Sequence, residues 1–318
     1  MENRYRPRRT CLSVPGSSAK MIEKAKTLPA DQVFLDLEDA VAADAKTQAR
    51  EQVAAALATA GWAGQLRGVR VNDWTTPWTH TDVIEVVGRA GAALDIVVLP
   101  KVTDVSHVHA LDLLLSQLEA VHDLPLGRIG IEAQIEDARG LTNVDAIAAA
   151  PRVQALVLGP ADLMASLNMR TLEVGEQPEG YSEGDAYHHV LMRILVAARA
   201  NGIAAIDGPY LKVRDVEAFR RVAGRSAALG YDGKWVLHPD QIEAGNEIYS
   251  PRQQAYDHAE LILEAYAWHT SKAGGARGAV MLGDEMIDEA SRKMALVIAG
   301  KGRAAGMQRT GERFRPPS

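Results

Sequence analysis

The sequence predicts an α/β protein in which eight parallel strands alternate with helices and close into a barrel. Short apolar or β-branched runs recur eight times, and the segments between them carry apolar residues at helical spacing, as in 45–60, 105–121 and 216–229. An open doubly wound sheet is the alternative, but it normally carries a glycine-rich nucleotide loop after its first strand. Val14-Pro15-Gly16-Ser17-Ser18 does not match that loop. The predicted strands are 10–14, 32–37, 68–72, 96–100, 129–136, 153–159, 204–208 and 234–238.

The length of 318 residues suits one barrel with an appendage. The strand and helix alternation stops after Ser250-Pro251, which predicts a barrel domain over 1–250 and a C-terminal extension over 251–318. In the extension we expect helices over 253–269 and from Glu289 to about Ala299, joined through a glycine-rich connector at 271–278.

Composition indicates an ordinary globular protein, with 47% hydrophobic and 24% charged residues. No apolar run reaches a membrane-spanning length, and the N-terminus leads into no signal-peptide core, so we expect a cytoplasmic protein that does not bind membranes. The net charge of −6 argues against general nucleic-acid binding, although an anion could bind the local cluster of Arg6, Arg8 and Arg9. The single Cys11 cannot form an intrachain disulfide, and a small buried residue is the better interpretation.

The fifth predicted strand places polar side chains on one face and ends in acid. Strict alternation puts Glu132, Gln134 and Glu136 on the same side. In a barrel the catalytic rim lies at the carboxyl ends of the strands. We therefore expect Glu136 at the rim, and Glu132 and Gln134 deeper inside, where they pack or form hydrogen bonds.

Two carboxylates at the predicted rim suit a metal ion. Glu136 and Asp162 follow adjacent strands and could give two oxygen ligands to a hard cation such as Mg²⁺, with water and substrate completing the coordination. The structural alternatives are an ion pair of Glu136 with Arg139 or a neighbouring base and a helix N-cap role for Asp162. His238 lies on the same rim without the spacing of a zinc site, which favours a structural role.

Arg70 is the candidate for binding negative charge at the rim. It alternates with Val69 and Val71, so its guanidinium points into the barrel if the valines pack outward. Its planar fork suits a carboxylate or a developing enolate oxygen, and a pair with Glu38 or Glu136 is the structural alternative.

Further polar residues follow the second, third and fourth strands. Asp36 and Glu38 share a face and could orient metal-bound water or act as counter-ions for Arg70 or Lys101. The supporting or substrate-contacting positions that we predict are Asp36, Glu38, Asp39 and Asn72.

Seven motifs, in order through nearly the whole chain, resemble the HpcH/HpaI aldolase or citrate lyase β-subunit-like superfamily, and within it the malyl-CoA lyases. The matching stretches are Arg9-Thr10-Cys11-Leu12-Ser13-Val14-Pro15-Gly16, Leu35-Asp36-Leu37-Glu38-Asp39-Ala40-Val41, Val69-Arg70-Val71-Asn72, Leu99-Pro100-Lys101, Ile135-Glu136-Asp137-Ala138-Arg139-Gly140, Gly159-Pro160-Ala161-Asp162-Leu163 and Gly233-Lys234-Trp235-Val236-Leu237-His238-Pro239-Asp240-Gln241.

The resemblance implies a (β/α)8 TIM barrel with a C-terminal helical lid extension. It implies that Glu136 and Asp162 hold Mg²⁺, with Mn²⁺ as an alternative ion, and that Arg70 faces the substrate. Met286-Ile287-Asp288 looks like the lid motif of such lyases, in which the aspartate enters a neighbouring subunit's site and acts in proton transfer. The resemblance therefore implies a homo-oligomer, a trimer or hexamer. Gly283-Asp284-Glu285, just before the motif, is more acidic than the family pattern.

The activity that the resemblance implies is a reversible Claisen-type cleavage of L-malyl-CoA or β-methylmalyl-CoA. The products would be glyoxylate and acetyl-CoA or propionyl-CoA. A citramalyl-CoA or citryl-CoA lyase and a malyl-CoA thioesterase are the alternatives, whereas a non-catalytic homologue would have lost Arg70, Glu136 or Asp162. Candidates for binding the phosphates of CoA are Arg9, Lys20, Lys24 and Lys101.

Overall fold

Eight β-branched and apolar runs form the strands of a closed parallel barrel in the computed structural model, which describes residues 6–316. Each strand pairs with the next, and the eighth pairs with the first through Thr10–Lys234, Cys11–Trp235 and Leu12–Val236. The predicted barrel is confirmed, and the open sheet is wrong. The strands are β1 (Thr10–Pro15), β2 (Gln32–Asp36), β3 (Leu66–Arg70), β4 (Ile96–Leu99), β5 (Gly130–Ile135), β6 (Val153–Leu158), β7 (Ala204–Asp207) and β8 (Gly233–Val236).

Helices connect successive strands on the outside of the barrel. The predicted helices 45–60, 105–121 and 216–229 are confirmed as α2, α4 and α9. Asp104 caps α4 and Asp215 caps α9 through their side chains, which gives these two helices defined starts. The helices are α1 (Ala19–Ala25), α2 (Lys46–Ala58), α3 (Thr79–Ala90), α4 (Val105–Val121), α5 (Ala138–Thr142), α6 (Val144–Ala148), α7 (Pro160–Ser166), α8 (His188–Ala200), α9 (Val216–Leu229) and α10 (Asp240–Ile248), with a 3₁₀ turn at Ala43–Ala45.

The interior of the barrel has an apolar middle layer. Phe34 and Trp235 pack there with ring centroids 4.7 Å apart, and Cys11 is buried in the same cluster, as predicted. Arg70 points into this space, with its guanidinium carbon 5.3 Å from the centroid of Trp235, while Val69 packs on the outer side of the sheet. The predicted inward direction of Arg70 is thus confirmed. Other members of the layer are Ile96, Val98, Ala155, Val157 and Ile206.

A polar floor closes the amino-terminal end of the barrel below this layer. Glu132 is completely buried; its Oε1 accepts a hydrogen bond from Arg8 Nε at 2.9 Å, and its Oε2 accepts one from Gln32 Nε2 at 2.8 Å. Arg8 also donates to Gln154 Oε1 at 2.9 Å. The predicted hydrogen-bonding role of Glu132 inside the barrel is confirmed. The barrel therefore has polar residues at the floor, apolar residues in the middle and acids at the top.

The residues from Ser250 onward form a second compact unit, separate from Arg8–Tyr249. The predicted helix 253–269 is confirmed as α11, and the helix predicted to end near Ala299 continues to Ala304 as α12. The sequence reading missed the antiparallel hairpin between them, which turns at Gly283 with φ +62°. The elements are α11 (Gln253–Thr270), β9 (Val280–Leu282), β10 (Glu285–Ile287) and α12 (Glu289–Ala304).

Residues 1–5 and 317–318 of the two predicted domains lie outside the described residues. Within residues 6–316, no helix combines the length and the apolar character that crossing a membrane requires.

Candidate active site

The residues predicted to bind the metal or the substrate lie together at the carboxyl ends of the barrel strands. Asp36 ends β2 and Arg70 ends β3, whereas Lys101 and Glu136 come just after β4 and β5. Asp162 lies in the first turn of α7, directly after β6. Parallel strands bring all five positions to one rim.

Arg70 is held by two carboxylates at this rim. Its Nε and Nη2 donate to Asp36 Oδ1 and Oδ2 at 2.7 and 2.6 Å, and its Nη1 contacts Glu38 Oε2 at 2.8 Å. Burial disfavours the guanidinium charge, but the attraction of Asp36 and Glu38 is stronger and raises the pKa of Arg70. Asp36 and Glu38 thus both act as counter-ions of Arg70, which is one of the two roles predicted for them. Each terminal nitrogen of Arg70 carries a second N–H that a substrate oxygen can accept.

Lys101 contacts two different parts of the rim. It adopts a left-handed backbone conformation, with φ +50°, directly after Leu99-Pro100. Its amide donates to Glu136 Oε1 at 2.6 Å, while its ammonium donates to Glu38 Oε1 at 2.5 Å and lies 3.6 Å from Asp39 Oδ1. Burial opposes the ammonium charge, but the contact with Glu38 dominates and raises the pKa of Lys101. Lys101 therefore lies among the carboxylates of the rim.

Glu136 is buried, and both of its oxygens are hydrogen-bonded. Oε1 accepts from the Lys101 amide, and Oε2 accepts from Gln134 Nε2 at 2.5 Å. Burial, with the neighbouring charges of Glu38 and Asp162, raises the pKa of Glu136 to about 8 despite the hydrogen bond from Lys101. A nearby cation would favour the ionised form of the Glu136 carboxylate.

The structural alternatives for the two predicted metal ligands do not hold. Among the described residues, no ion pair joins Glu136 to Arg139 or to another base, and Asp137 caps α5 by accepting from the Arg139 amide at 2.7 Å. The N-cap of α7 is Gly159, and Asp162 lies exposed in the helix itself. Neither carboxylate is therefore occupied by the structural role that competed with metal binding.

The pair Glu136 and Asp162 fits a Mg²⁺ ion. Carboxylate oxygens are hard ligands, and Mg²⁺ is usually bound by one or two carboxylates, with water and substrate completing its shell. Residues 6–316 contain no group of three or more His, Cys, Asp or Glu side chains arranged for a metal. The charge of Asp162 is close enough to raise the pKa of Glu136, so a cation between them would relieve their repulsion.

Gly159 is a structural requirement of this carboxylate pair that the sequence reading missed. A Cβ at this position would lie 2.3 Å from Glu136 Oε2 and 2.4 Å from Glu136 Cβ. Only glycine lets the start of α7 approach Glu136 so closely. The G-P-A-D motif is the signal that could have revealed it.

Lys46 is a second residue that sequence reasoning missed. Its ammonium is buried at the start of α2 and donates at 2.7 Å to the carbonyls of Leu37 and Glu38 and to Asn72 Oδ1. The amide group of Asn72 donates in turn to Asp82 Oδ2 at 2.6 Å. Lys46 and Asn72 thus fix the chain segment that carries Glu38. The signal was a lysine on the buried face of α2.

The predicted CoA-binding cations do not lie together. Arg9 precedes β1 at the amino-terminal end of the barrel, opposite the rim, and its Nε and Nη2 contact Asp31 at 2.8 and 2.7 Å. The structure therefore does not bring Arg9 to the candidate site. Lys20 and Lys24 are exposed on α1, which follows β1 at the rim end. The predicted structural residue His238 contacts Asp240 Oδ2 at 3.3 Å through Nδ1.

Asp288 lies in the C-terminal unit as the N-cap of α12. Its Oδ1 accepts from the amides of Ala290 and Ser291 at 2.9 and 3.0 Å and from Ser291 Oγ at 3.2 Å. The hydrogen bond from the Ser291 amide is the largest cause that lowers the pKa of Asp288. Its neighbour Glu285 is engaged elsewhere, 2.7 Å from His258 Nε2. The cap bonds end on Oδ1, so Oδ2 takes no part in the cap.

Comparison with known proteins shows that this chain is similar to enzymes that act on malyl-CoA. An L-malyl-CoA/β-methylmalyl-CoA lyase of Cereibacter sphaeroides is 40% identical over 305 residues, which cover 92% of this chain and 94% of the relative. A (3S)-malyl-CoA thioesterase of the same species is 34% identical, covering 84% of this chain and 85% of the relative.

A solved structure extends the similarity to a protein with bound ligands. The protein CitE of Mycobacterium tuberculosis, in complex with magnesium, acetoacetate and coenzyme A, superposes with a TM-score of 0.70 at 28% identity. The match covers 94% of this chain and 98% of that protein. The family profile HpcH/HpaI aldolase/citrate lyase matches residues 9–239, from the residue before β1 to just past β8. The chain belongs to the HpcH/HpaI aldolase/citrate lyase family.

Proposed function

We propose that this protein is a Mg²⁺-dependent carbon–carbon lyase that acts on a 3-hydroxyacyl-CoA thioester. The reaction is the reversible cleavage of L-malyl-CoA or β-methylmalyl-CoA to glyoxylate and acetyl-CoA or propionyl-CoA. The observation that carries the proposal is the buried Arg70 on the same barrel rim as the carboxylates Glu136 and Asp162. The lyase of C. sphaeroides, 40% identical over most of both chains, supports the choice of substrates.

Glu136 and Asp162 are the residues that would hold the metal. When bound, Mg²⁺ supplies a Lewis acid for the carboxylate and hydroxyl oxygens of the substrate. Glu136 is kept in place by the Lys101 amide and by Gln134, which limits its movement as ligands enter. Mn²⁺ is a second ion that this oxygen donor set accepts.

Arg70 is assigned to the thioester side of the substrate. In cleavage the substrate hydroxyl gives its proton to water and becomes the aldehyde carbonyl of glyoxylate, while the electron pair of the broken carbon–carbon bond moves onto the thioester carbonyl to form an enolate. The remaining N–H groups of Arg70 stabilise that negative charge. Asp36 and Glu38 keep the guanidinium in a fixed orientation, so little reorganisation is needed when the charge develops.

Asp288 is assigned to proton transfer at the enolate carbon. In cleavage it donates a proton to that carbon, and in condensation its carboxylate removes the proton from the acyl-CoA. We propose that it does so in the site of a neighbouring subunit, within a homotrimer or hexamer. Lys20 and Lys24 are the proposed contacts of the CoA phosphates, since α1 follows β1 at the rim end. A cytoplasmic location stays an expectation from the sequence.

Product analysis tests the proposal directly. Purified protein with Mg²⁺, glyoxylate and acetyl-CoA or propionyl-CoA is expected to form the hydroxyacyl-CoA, which mass spectrometry detects. In the reverse direction, L-malyl-, β-methylmalyl-, citramalyl- and citryl-CoA are compared as substrates. Glu136→Gln and Asp162→Asn are expected to abolish both directions.

The malyl-CoA thioesterase alternative is separated in the same experiment. A thioesterase releases free CoA and malate, whereas a lyase yields acetyl-CoA and glyoxylate without a free thiol. Stoichiometric thiol release from L-malyl-CoA, without glyoxylate, would overturn the proposed lyase activity.

A further inference from the structure

Lys101 contacts two carboxylates of the rim, those of Glu136 and Glu38. Its backbone amide holds Glu136, and its side-chain ammonium holds Glu38. Lys101 makes both bonds from a left-handed backbone at φ +50°, a conformation that non-glycine residues rarely adopt and that concentrates at functional sites. In this conformation the amide and the ammonium of one lysine contact two different carboxylates of the rim.

Glu38 lies between Lys101 and Arg70 and contacts both cations. Its Oε1 accepts from the ammonium of Lys101, and its Oε2 contacts Arg70 Nη1 at 2.8 Å. Glu38 is 3% exposed, so its carboxylate charge requires these two cations. Without Lys101, the Oε1 side of Glu38 would lose its ion-pair partner and the carboxylate would be free to rotate away from Arg70.

We infer that Lys101 is a positioning residue, which acts through Glu38 to hold the Arg70 guanidinium in a fixed relation to the Glu136 carboxylate. This inference rests on the proposed lyase function, because it gives Arg70 and Glu136 their roles in catalysis. It replaces the CoA-binding role that the sequence suggested for Lys101. A lysine that binds a flexible phosphate is ordinarily exposed and free, whereas this ammonium contacts two carboxylates, one of them buried.

The charge balance of the rim agrees with this role. The charge of Glu38 repels that of Glu136 and helps to raise the pKa of Glu136. The Lys101 ammonium compensates the charge of Glu38 locally, so that the Glu38 carboxylate can remain beside Arg70 although the rim as a whole carries more carboxylates than cations. A phosphate bound at Lys101 would compete with Glu38 for the same ammonium.

Lys101→Met tests the inference, because it keeps an unbranched side chain only one atom shorter and removes the ammonium with its charge and its hydrogen bond to Glu38. We expect kcat to fall by about 10- to 100-fold, as for other groups that orient a metal ligand or substrate contact, with KM for the acyl-CoA nearly unchanged. Lys101→Arg restores a cation and is expected to recover much of kcat. Lys101→Gly keeps the amide and relieves the backbone conformation, and its kcat is expected to stay low.

Lys212→Met is the matched control, since it removes the ammonium from an ion pair with Glu173 in which both side chains are more than half exposed. We expect no change of kcat in that variant. A raised KM for acyl-CoA in Lys101→Met, with kcat unchanged and with a weaker dependence of KM on ionic strength than in the wild-type protein, would restore the CoA-binding role and overturn the inference. Full kcat in Lys101→Gly would overturn it as well.

A double-mutant cycle examines the link to Glu38 without any assay of turnover. Thermal midpoints of the metal-free protein are measured for Lys101→Met, Glu38→Gln and the double variant. We expect both single variants to lower the midpoint and the double variant to lower it by less than their sum. Additive effects would show that Lys101 does not act through Glu38. Because this cycle needs no substrate, it judges the inference even if the lyase proposal fails.

Discussion

Arg70 and Asp36 form a bidentate ion pair inside the barrel, with Nε–Oδ1 and Nη2–Oδ2 distances of 2.7 and 2.6 Å. The same carboxylate accepts a hydrogen bond from the Glu38 amide at 2.9 Å. Asp36 therefore fixes both Arg70 and the chain segment that carries Glu38, which is the second carboxylate in contact with Arg70. A planar fork of this kind cannot be replaced by a point charge.

Removing the Asp36 carboxylate leaves the buried guanidinium of Arg70 with Glu38 as its remaining ion-pair partner. We expect Asp36→Ala to lower the free energy of unfolding by about 3 to 5 kcal/mol, the usual effect of breaking a buried ion pair from one side. Urea denaturation measures it. Glu173→Ala, which breaks the exposed pair with Lys212, is the control and should change the free energy of unfolding by about 1 kcal/mol or less. Equal effects in both variants would contradict a special role for the Arg70 pair.

Gly159→Ala should weaken Mg²⁺ binding while leaving the barrel folded. The added methyl group would lie 2.3 Å from Glu136 Oε2, so either Glu136 or the start of α7 with Asp162 must move. Calorimetric titration with Mg²⁺ is expected to show an affinity lower by about 10-fold or more, the size typical for disturbed metal ligands. Gly224→Ala is the control, since nothing lies within 4 Å of its Cβ position. Unchanged Mg²⁺ affinity in Gly159→Ala would remove Glu136 and Asp162 from the metal site.

Loss of the Glu136 proton should make the metal-free protein less stable as the pH rises. Burial raises the pKa of Glu136 from its ordinary value of 4.5 to about 8, so the folded state holds a proton that the unfolded chain has already released. The stabilisation from this proton is complete below pH 4.5 and is lost as the pH rises through about 8. Urea denaturation of metal-free protein across this range measures the loss, and Glu136→Gln, which mimics the protonated group, should reduce the slope.

The same proton should be released when Mg²⁺ binds. Because a metal ligand must be deprotonated, binding at pH 7 is expected to release up to one proton from Glu136, and binding well above pH 8 none. Calorimetry in buffers of different ionisation enthalpy counts the released protons. Release that does not depend on pH would show that Glu136 is already ionised before the metal arrives.

Asp288→Asn should separate the structural and chemical roles of this residue. Asparagine caps a helix as well as aspartate does, so α12 should keep its stability, while the group that transfers the proton is lost. We expect a strong fall in kcat with unchanged Mg²⁺ affinity. Ser291→Ala, which removes the two cap hydrogen bonds of the Ser291 hydroxyl and keeps the Asp288 carboxylate, is the matched control, with circular dichroism to follow the helix. Full activity in Asp288→Asn would end the proton-transfer assignment.

The sequence predicted the fold well, because each strand and its helix form a local unit with its own periodicity. All eight strands lie within a few residues of their predicted positions. The carboxyl-end rule also located Glu136 and Arg70 at the rim. The hairpin before α12 escaped prediction, because strands of three residues carry too little alternation to be recognised.

The contacts within the rim were less predictable, because they join residues distant in sequence. Lys101 contacts Glu38 and Glu136 from a left-handed backbone conformation that no residue pattern predicts. Gly159 matters through a steric contact that appears only in three dimensions. Arg9, by contrast, precedes β1, and this order alone places it at the far end of the barrel.

The apolar middle layer separates the acids of the rim from the charged floor around Glu132. Phe34 and Trp235 form part of this layer and keep the two polar systems apart. The floor is therefore a region where stability can be engineered independently of the chemistry. Buried ion pairs such as Arg8 and Glu132 can often be exchanged for well-packed apolar residues without loss of stability. A thermostable variant of this protein could thus be sought at the floor, with the catalytic rim left untouched.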